Sequence, residues 1–273
     1  MDNGPIGIFD SGVGGLTAVK ALRLLLPGEN ILYFGDSGRM PYGTRAKEEI
    51  ERMAYEDAAL LVKRGAKALL AACNTIDSNA LPALQARFAQ PVFGVIGPAA
   101  QKAARTTKTG RVGVIATEAT AKSDAYGTAL RALLPEASVT TVGCPTLATL
   151  VEQGHTKAGD PVLDAALEEY LAPIREAGAD TLILGCTHYP LLTEAIGAIL
   201  GGGVALVDSG AAGAEALAAW LCDSGMTAGR PSGSALYCTS GNLEPFSRVA
   251  GVFLEADVSG CTCRIQHFGE SIE

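Results

Sequence analysis

Two of the seven cysteines, Cys73 and Cys186, stand at the ends of short apolar runs and are followed by polar residues. Cys73 follows Ala68–Ala72 and precedes Asn74 and Thr75. Cys186 follows Thr181–Leu184 and Gly185 and precedes Thr187 and His188. A free thiol titrates at about 8.5, and a helix N-terminus or a nearby cation lowers that. One thiolate and one thiol on opposite faces of a carbon can remove a proton and return one. That exchange inverts a stereocentre while neither base moves. An amino-acid α-hydrogen is very weakly acidic, so donors to the carboxylate must stabilise the developing charge in a site closed to water. Either cysteine alone reads equally well as a small core residue, because free Cys is among the most buried types.

The surrounding motifs leave similar choices. DSGVGG (Asp10–Gly15) lacks the Gly-Lys-Ser/Thr of a P-loop, and Thr17 stands where G-x-G-x-x-G needs its third glycine. A helix N-terminus there would still suit a carboxylate, and a plain tight turn is the other reading. GDSGRMPYG (Gly35–Gly43) is rich in turn residues and follows the apolar run Ile31–Phe34. His188 is either a structural histidine or a group that favours the Cys186 thiolate; His155 and His267 have no such setting. The other cysteines, Cys144, Cys222, Cys238, Cys261 and Cys263, read as structural or incidental. Cys261 and Cys263 form a C-x-C with no second pair to complete a zinc site.

An internal repeat tips the balance for Cys73 and Cys186. IGIFDSG (Ile6–Gly12) resembles VGVIATE (Val112–Glu118), GAKALLAACNT (Gly65–Thr75) resembles GADTLILGCTH (Gly178–His188), and VFGVIGPAA (Val92–Ala100) resembles VALVDSGAA (Val204–Ala212). The offsets are 106, 113 and 112 residues, in the same order along the chain. Three matched pairs indicate two related halves, with the two thiols in equivalent places.

Each half predicts the same local structure. Apolar positions Ile50, Ala54, Ala58, Leu61 and Val62 form a helix stripe within Thr44–Arg64. Gly65 then suits a left-handed cap, and Ala68–Ala72 a buried parallel strand. Asn74 can cap the next helix, with Asp77 three residues on. In the second half Asp164–Ala177 reads as a helix, Gly178 as its cap and Thr181–Leu184 as a strand, with Pro190 in the first turn of another helix. The alternation predicts an α/β fold of two pseudo-symmetric lobes, each a largely parallel sheet flanked by helices. Ligands bind beyond the C-terminal strand ends of such sheets, so the active site is expected in the cleft between the lobes. The boundary is expected near Gly97 and Pro98, with Val204–Gly210 returning the chain. Residues 1–97 and 208–273 then form the first lobe, carrying Cys73, and residues 98–207 the second, carrying Cys186.

Composition sets the outer limits. With 273 residues and 48% hydrophobic content, the chain suffices for two domains of ordinary size or one large α/β unit and can bury a sizeable core. A formal net charge of −8 with scattered Lys and Arg argues against nucleic acid as a partner. An anionic ligand must therefore be held by local donors. The sequence shows no signal-peptide pattern and no apolar run long enough to span a bilayer. A cytoplasmic location, no membrane association and reduced cysteines are expected.

At these residues the chain resembles the glutamate racemase family. The matching runs are GIFDSGVGGLT, YFGDSGRMPYGTR, ACNT, VGVIAT, LGCTHYPLL, LVDSG and TSGNLEPFSRV, spanning about Gly7 to Leu254. The resemblance implies interconversion of L- and D-glutamate without pyridoxal phosphate, metal or other cofactor. It implies that Cys73 takes the proton from D-glutamate and Cys186 from L-glutamate, with Asp10 assisting near Cys73, and Glu152 and His188 near Cys186. It implies that Ser11, Tyr42, Gly43, Asn74, Thr75, Thr117, Thr120 and Thr187 hold the carboxylates and amino group. A role in supplying D-glutamate for peptidoglycan follows, in a bacterial cytoplasm; a homodimer is left open, and activation through an N-terminal extension is not expected. Two departures stand out. Ile76 and Asp77 follow ACNT where the family usually has small residues, and Asp77 can either cap its helix or raise the pKa of Cys73. CPTLATLVEQG keeps Val-Glu-x-Gly around Glu152 but loses some apolar positions. The competing readings are a racemase of aspartate or a hydantoin, and a non-catalytic two-lobe binding protein, which would need no thiols.

Overall fold

A computed structural model of the chain describes residues 1–265; His267 lies outside the described residues. The first run of elements is β1 (Ile6–Asp10), α1 (Leu16–Leu25), β2 (Ile31–Gly35), α2 (Lys47–Lys63), β3 (Ala68–Ala71), α3 (Asn74–Arg87) and β4 (Val92–Phe93). The second is α4 (Ile96–Thr106), β5 (Arg111–Ala116), α5 (Glu118–Lys122), α6 (Ala125–Leu133), β6 (Ser138–Gly143), α7 (Leu147–Glu152), α8 (Pro161–Glu176), β7 (Thr181–Gly185), α9 (Thr193–Leu200) and β8 (Ala205–Asp208). The chain then continues through α10 (Ser209–Asp223), β9 (Ala235–Thr239), α11 (Leu243–Leu254) and β10 (Thr262–Arg264).

The strands form two sheets, in the orders β10-β9-β2-β1-β3-β4 and β6-β5-β7-β8, with every pairing parallel. The order β2-β1-β3-β4 repeats as β6-β5-β7-β8, so each repeated sequence segment occupies an equivalent strand. β1, β2, β3 and β7 are buried along their whole length. Helices cover both faces of a parallel sheet, which is why these strands read as continuous apolar runs. Successive side chains of β1 still divide between faces: Ile6 and Ile8 join one core with Leu16, Val95, Val114 and Leu217, whereas Phe9 joins a second with Phe34, Ile50 and Leu69. The first of these cores runs through both sheets, and α10 packs on both α1 and α4. Gly65 (φ +85°) and Gly178 (φ +64°) take the left-handed conformation that ends the helices before β3 and β7.

This topology positions the polar groups. β1 lies between β2 and β3, and β5 between β6 and β7. The two strands that follow each central strand lie on opposite sides of it, which opens a crevice at its C-terminal end. Phe9 is level with Ala71, and Ala116 with Gly185. Asp10 and Ser11 therefore emerge beside Cys73, and Thr117 beside Cys186.

Candidate active site

Cys73 occupies the extended residue before α3 (φ −72°, ψ 121°), and Cys186 directly follows β7; each is 6% exposed. Around Cys73 the neighbours are a hydroxyl and a carboxylate. Cys73 Sγ donates to Ser11 Oγ at 3.6 Å. Asp10 is fully buried, and its Oδ2 accepts from the Gly12 N–H at 3.0 Å while Thr187 Oγ1 donates to Oδ1 at 3.5 Å. Burial, and then the charge of Asp10, push the Cys73 thiol up to about 12, against the pull of Ser11 and the Ile76 N–H. Burial raises Asp10 as well, opposed first by His188.

Around Cys186 the neighbours differ. Its Sγ lies 3.8 Å from His188 Nδ1, and His188 Nε2 lies 2.9 Å from Glu152 Oε1. Phe253 meets the imidazole edge-on, with ring centroids 5.6 Å apart. Burial alone would strip the proton from His188, but the hydrogen bonds to Cys186 and Glu152 outweigh it and push the imidazole up to about 10. One thiol thus neighbours a buried carboxylate, and the other an imidazolium.

Both thiols line one cavity of about 380 Å³ between the strand ends of the two sheets. Ser11, Tyr42, Gly43, Asn74, Thr75, Thr117, Glu152, Thr187 and His188 line it too. Among the described residues its wall carries hydroxyls, the carboxyl groups of Glu118 and Glu152 and the His188 imidazole, and no Lys or Arg. Two residues expected at the site are not part of that wall. Asp10 is fully buried outside the lining, where it interacts with Cys73. Thr120 stands behind Thr117, its N–H donating to Thr117 Oγ1 at 3.4 Å, because Thr117 is the cap of α5.

Several expectations about individual side chains need correction. Asn74 does not cap α3; Cys73 holds that position and Asn74 begins the helix. Its amide is engaged elsewhere: Nδ2 donates to Ser209 Oγ at 3.0 Å, and Oδ1 accepts from the Tyr126 hydroxyl at 2.5 Å. Ser209 in turn donates to Leu184 O at 2.9 Å, tying the residue after Cys73 to the strand that carries Cys186. Asp77 caps α4 rather than its own helix, accepting from the Val95 and Ile96 N–H groups at 2.5 and 2.7 Å. The charge beside Cys73 is that of Asp10. Tyr42 is 1% exposed, and its hydroxyl donates to the buried carboxylates of Asp36 and Asp57, where Arg39 also binds. Its contribution to the wall is therefore separate from its hydroxyl. Cys144, read as structural or incidental, is buried in the core and also lines the cavity; it follows β6 just as Cys186 follows β7, a signal present in the sequence. Met40, Pro41 and Thr44 extend the Tyr42-Gly43 loop along the wall, and Thr149 lies one helical turn before Glu152.

Among the described residues, no group of three or more His, Cys, Asp or Glu could hold a metal ion, and no helix is long and apolar enough to cross a membrane. Residues 17–217 match the Asp/Glu/Hydantoin racemase family. The chain is 50% identical over 204 residues to a glutamate racemase of Geobacter metallireducens, covering 75% of each protein. It is similar in structure to a glutamate racemase isoform of Bacillus anthracis, with a TM-score of 0.92, 36% identity and coverage of 97% of this chain and 98% of the other. A glutamate racemase of Francisella tularensis in complex with D-glutamate gives a TM-score of 0.89 at 33% identity, covering 97% and 98%. With the family match spanning most of the chain and the two structural likenesses running nearly end to end, the chain belongs to the Asp/Glu/Hydantoin racemase family.

Proposed function

We propose that this protein interconverts L- and D-glutamate by a two-base mechanism, with Cys186 and Cys73 on opposite sides of the substrate Cα. The observation that carries this reading is that two thiols from equivalent strand ends line one small cavity and have opposite electrostatic partners. A relative whose structure holds D-glutamate supports the choice of substrate. In the L-to-D direction Cys186 takes the Cα proton and His188 supports the charge on it, with Glu152 holding the ring. Cys73, kept protonated by burial and by Asp10, returns a proton to the other face. In the reverse direction the roles exchange. Ser11, Thr75, Thr117, Thr187 and the backbone at Tyr42-Gly43 are the donors for the carboxylates, and the helix N-terminus behind Cys73 adds a favourable field. Asn74 acts through its hydrogen bonds to Ser209 and Tyr126, and Thr120 through Thr117. Residues 1–97 with 208–273, and 98–207, are the two lobes that enclose the substrate. No cofactor enters this scheme, and the product serves peptidoglycan synthesis in a bacterial cytoplasm.

The test is exchange in deuterium oxide. Unlabelled L-glutamate should gain one deuterium at Cα as it becomes D-glutamate. Cys73→Ala and Cys186→Ala should each abolish racemisation with the circular-dichroism spectrum of the fold retained. Near-normal turnover by either variant would overturn the two-base reading.

A further inference from the structure

Cys238 and Cys263 take no part in the cavity. Cys238 is fully buried in β9, and Cys263 is partly exposed in β10. The two strands are parallel, and these cysteines are direct register partners. Their sulfurs stand 2.6 Å apart. A bonded pair stands ~2.0 Å apart, so closing the bond needs little backbone movement. β10 is the edge strand of its sheet, three residues long, with β9 as its only sheet neighbour among the described residues. A strand so placed has few ladder hydrogen bonds to hold it.

The 238–263 segment contains α11, which reaches the active site at two points. Phe246 stacks on Tyr33 at 6.4 Å, and the Tyr33 hydroxyl donates to Gly12 O at 2.8 Å. Phe253 is the ring that meets His188 edge-on. Whatever fastens β10 to β9 therefore fastens both ends of the segment that backs the site.

We propose that Cys238 and Cys263 form a redox-sensitive disulfide that fastens the edge strand β10 to β9, made by exchange with a small disulfide of the glutathione type. Cys263, the more accessible thiol, loses its proton and attacks one sulfur of the oxidant. One small thiol leaves, and a mixed disulfide remains on Cys263. Cys238 then loses its proton, attacks the Cys263 sulfur and expels the second small thiol. The two protein thiols lose two electrons, and one oxidant disulfide becomes two thiols. In a reducing compartment the pair stays open, and it closes when the thiol–disulfide poise turns oxidising. Closure restricts the unfolded chain over the whole segment and stabilises the fold. The exposed Cys261, two residues from Cys263, is the competing partner.

The experiment equilibrates the full protein in buffers of stepped reduced-to-oxidised glutathione ratio, alkylates the free thiols and maps the peptides without reduction. A Cys238–Cys263 cross-link should form on oxidation and vanish with dithiothreitol. Tm should rise by several degrees on closure, as a loop of this length implies. Cys261→Ser should keep both effects, and Cys263→Ser should lose both. Full alkylation of Cys238 and Cys263 at the most oxidising ratio would overturn the proposal. So would a cross-link through Cys261, or a cross-link without a gain in Tm.

Discussion

His188→Asn removes the imidazolium beside Cys186 and keeps a polar group of smaller size. The shift of His188 from 6.5 to about 10 measures how much the site prefers the cation to the neutral ring. At 1.36 kcal/mol for each tenfold step that is roughly 5 kcal/mol, an upper bound on what the cation supplies as negative charge develops on Cys186. If about half is realised in the transition state, kcat/KM falls roughly fiftyfold; full realisation gives more than a thousandfold. The loss must be equal in both directions. Two enantiomers have the same free energy in water, so the ratio of their kcat/KM values is one in every variant. Any asymmetry enters kcat and KM separately. The pH profile adds a second reading. A raised histidine is protonated below its folded pKa, so loss of the His188 cation through about 10 adds to the loss of the substrate ammonium in wild type, and the variant should keep only the substrate's limb. Racemisation followed by circular dichroism from each enantiomer, between pH 7 and 11, gives both results. A loss under fivefold, or a basic limb in the variant as steep as that of wild type, would refute the role assigned to the His188 cation.

Other expectations follow from local geometry. Gly14→Ala would place a Cβ 2.2 Å from Thr187 Oγ1 and 2.7 Å from His188 Nδ1, so kcat/KM should fall at least ~10-fold as those groups shift; wild-type kinetics would show that they yield freely. Lys67→Ala leaves Glu29 without its 2.7 Å ion-pair partner at a site where both side chains are 2% exposed; urea unfolding should show a loss of about 3–5 kcal/mol, most of it recovered by Lys67→Met with Glu29→Leu. Asp77 is pushed up to about 6 by burial, above its unfolded value, so its stabilising effect is complete below pH ~4 and is lost as pH rises through 6. Asp77→Asn should flatten that part of the stability profile, a difference of up to about 3 kcal/mol between pH 4 and 7; parallel profiles would contradict the assignment. Glutamate should exceed aspartate by roughly a hundredfold in kcat/KM, because a side chain one methylene shorter leaves buried donors unmet at about 1–3 kcal/mol each; equal values would refute that selectivity.

The strands and the two thiols were legible because helices on both faces of a parallel sheet force its central strands to be apolar throughout, and chemistry begins where that run stops. Gly65, Gly178 and the segments repeated about 110 residues apart carried the rest of the architecture. What sequence could not reach is what arrives from elsewhere in the fold. Asn74 looked like a local cap, yet its amide is taken by Tyr126 of α6 and Ser209 of α10. Asp77 looked local too, but α4 brings two free N–H groups to it. Asp36 and Arg39 lie far enough in sequence from Glu56 and Asp57 that no local spacing links the two pairs. Packing of α2 beside β2 gathers them around the Tyr42 hydroxyl and anchors the Met40–Thr44 wall. β9 offered only a short mixed run, and its place beside β2 follows from sheet closure rather than from composition.

An internal repeat supplies two thiols in matched positions, but matched thiols alone would not invert a stereocentre. In the proposed reaction one sulfur must be charged while the other holds its proton. Identical surroundings would give both the same intrinsic affinity for that proton. The two halves differ at that point. After β1 the chain places Asp10 beside Cys73, an anion that opposes a second negative charge there. The equivalent strand β5 ends at Ala116 and is followed by Thr117, neither of which carries a charge. Its partner β7 is followed two residues beyond Cys186 by His188, fixed by Glu152 from α7. Thr187, from the second half, also reaches Asp10 across the cleft. The symmetry of the fold sets where the two sulfurs stand, and in the proposed mechanism the divergence of their neighbours biases the proton of the free enzyme toward Cys73.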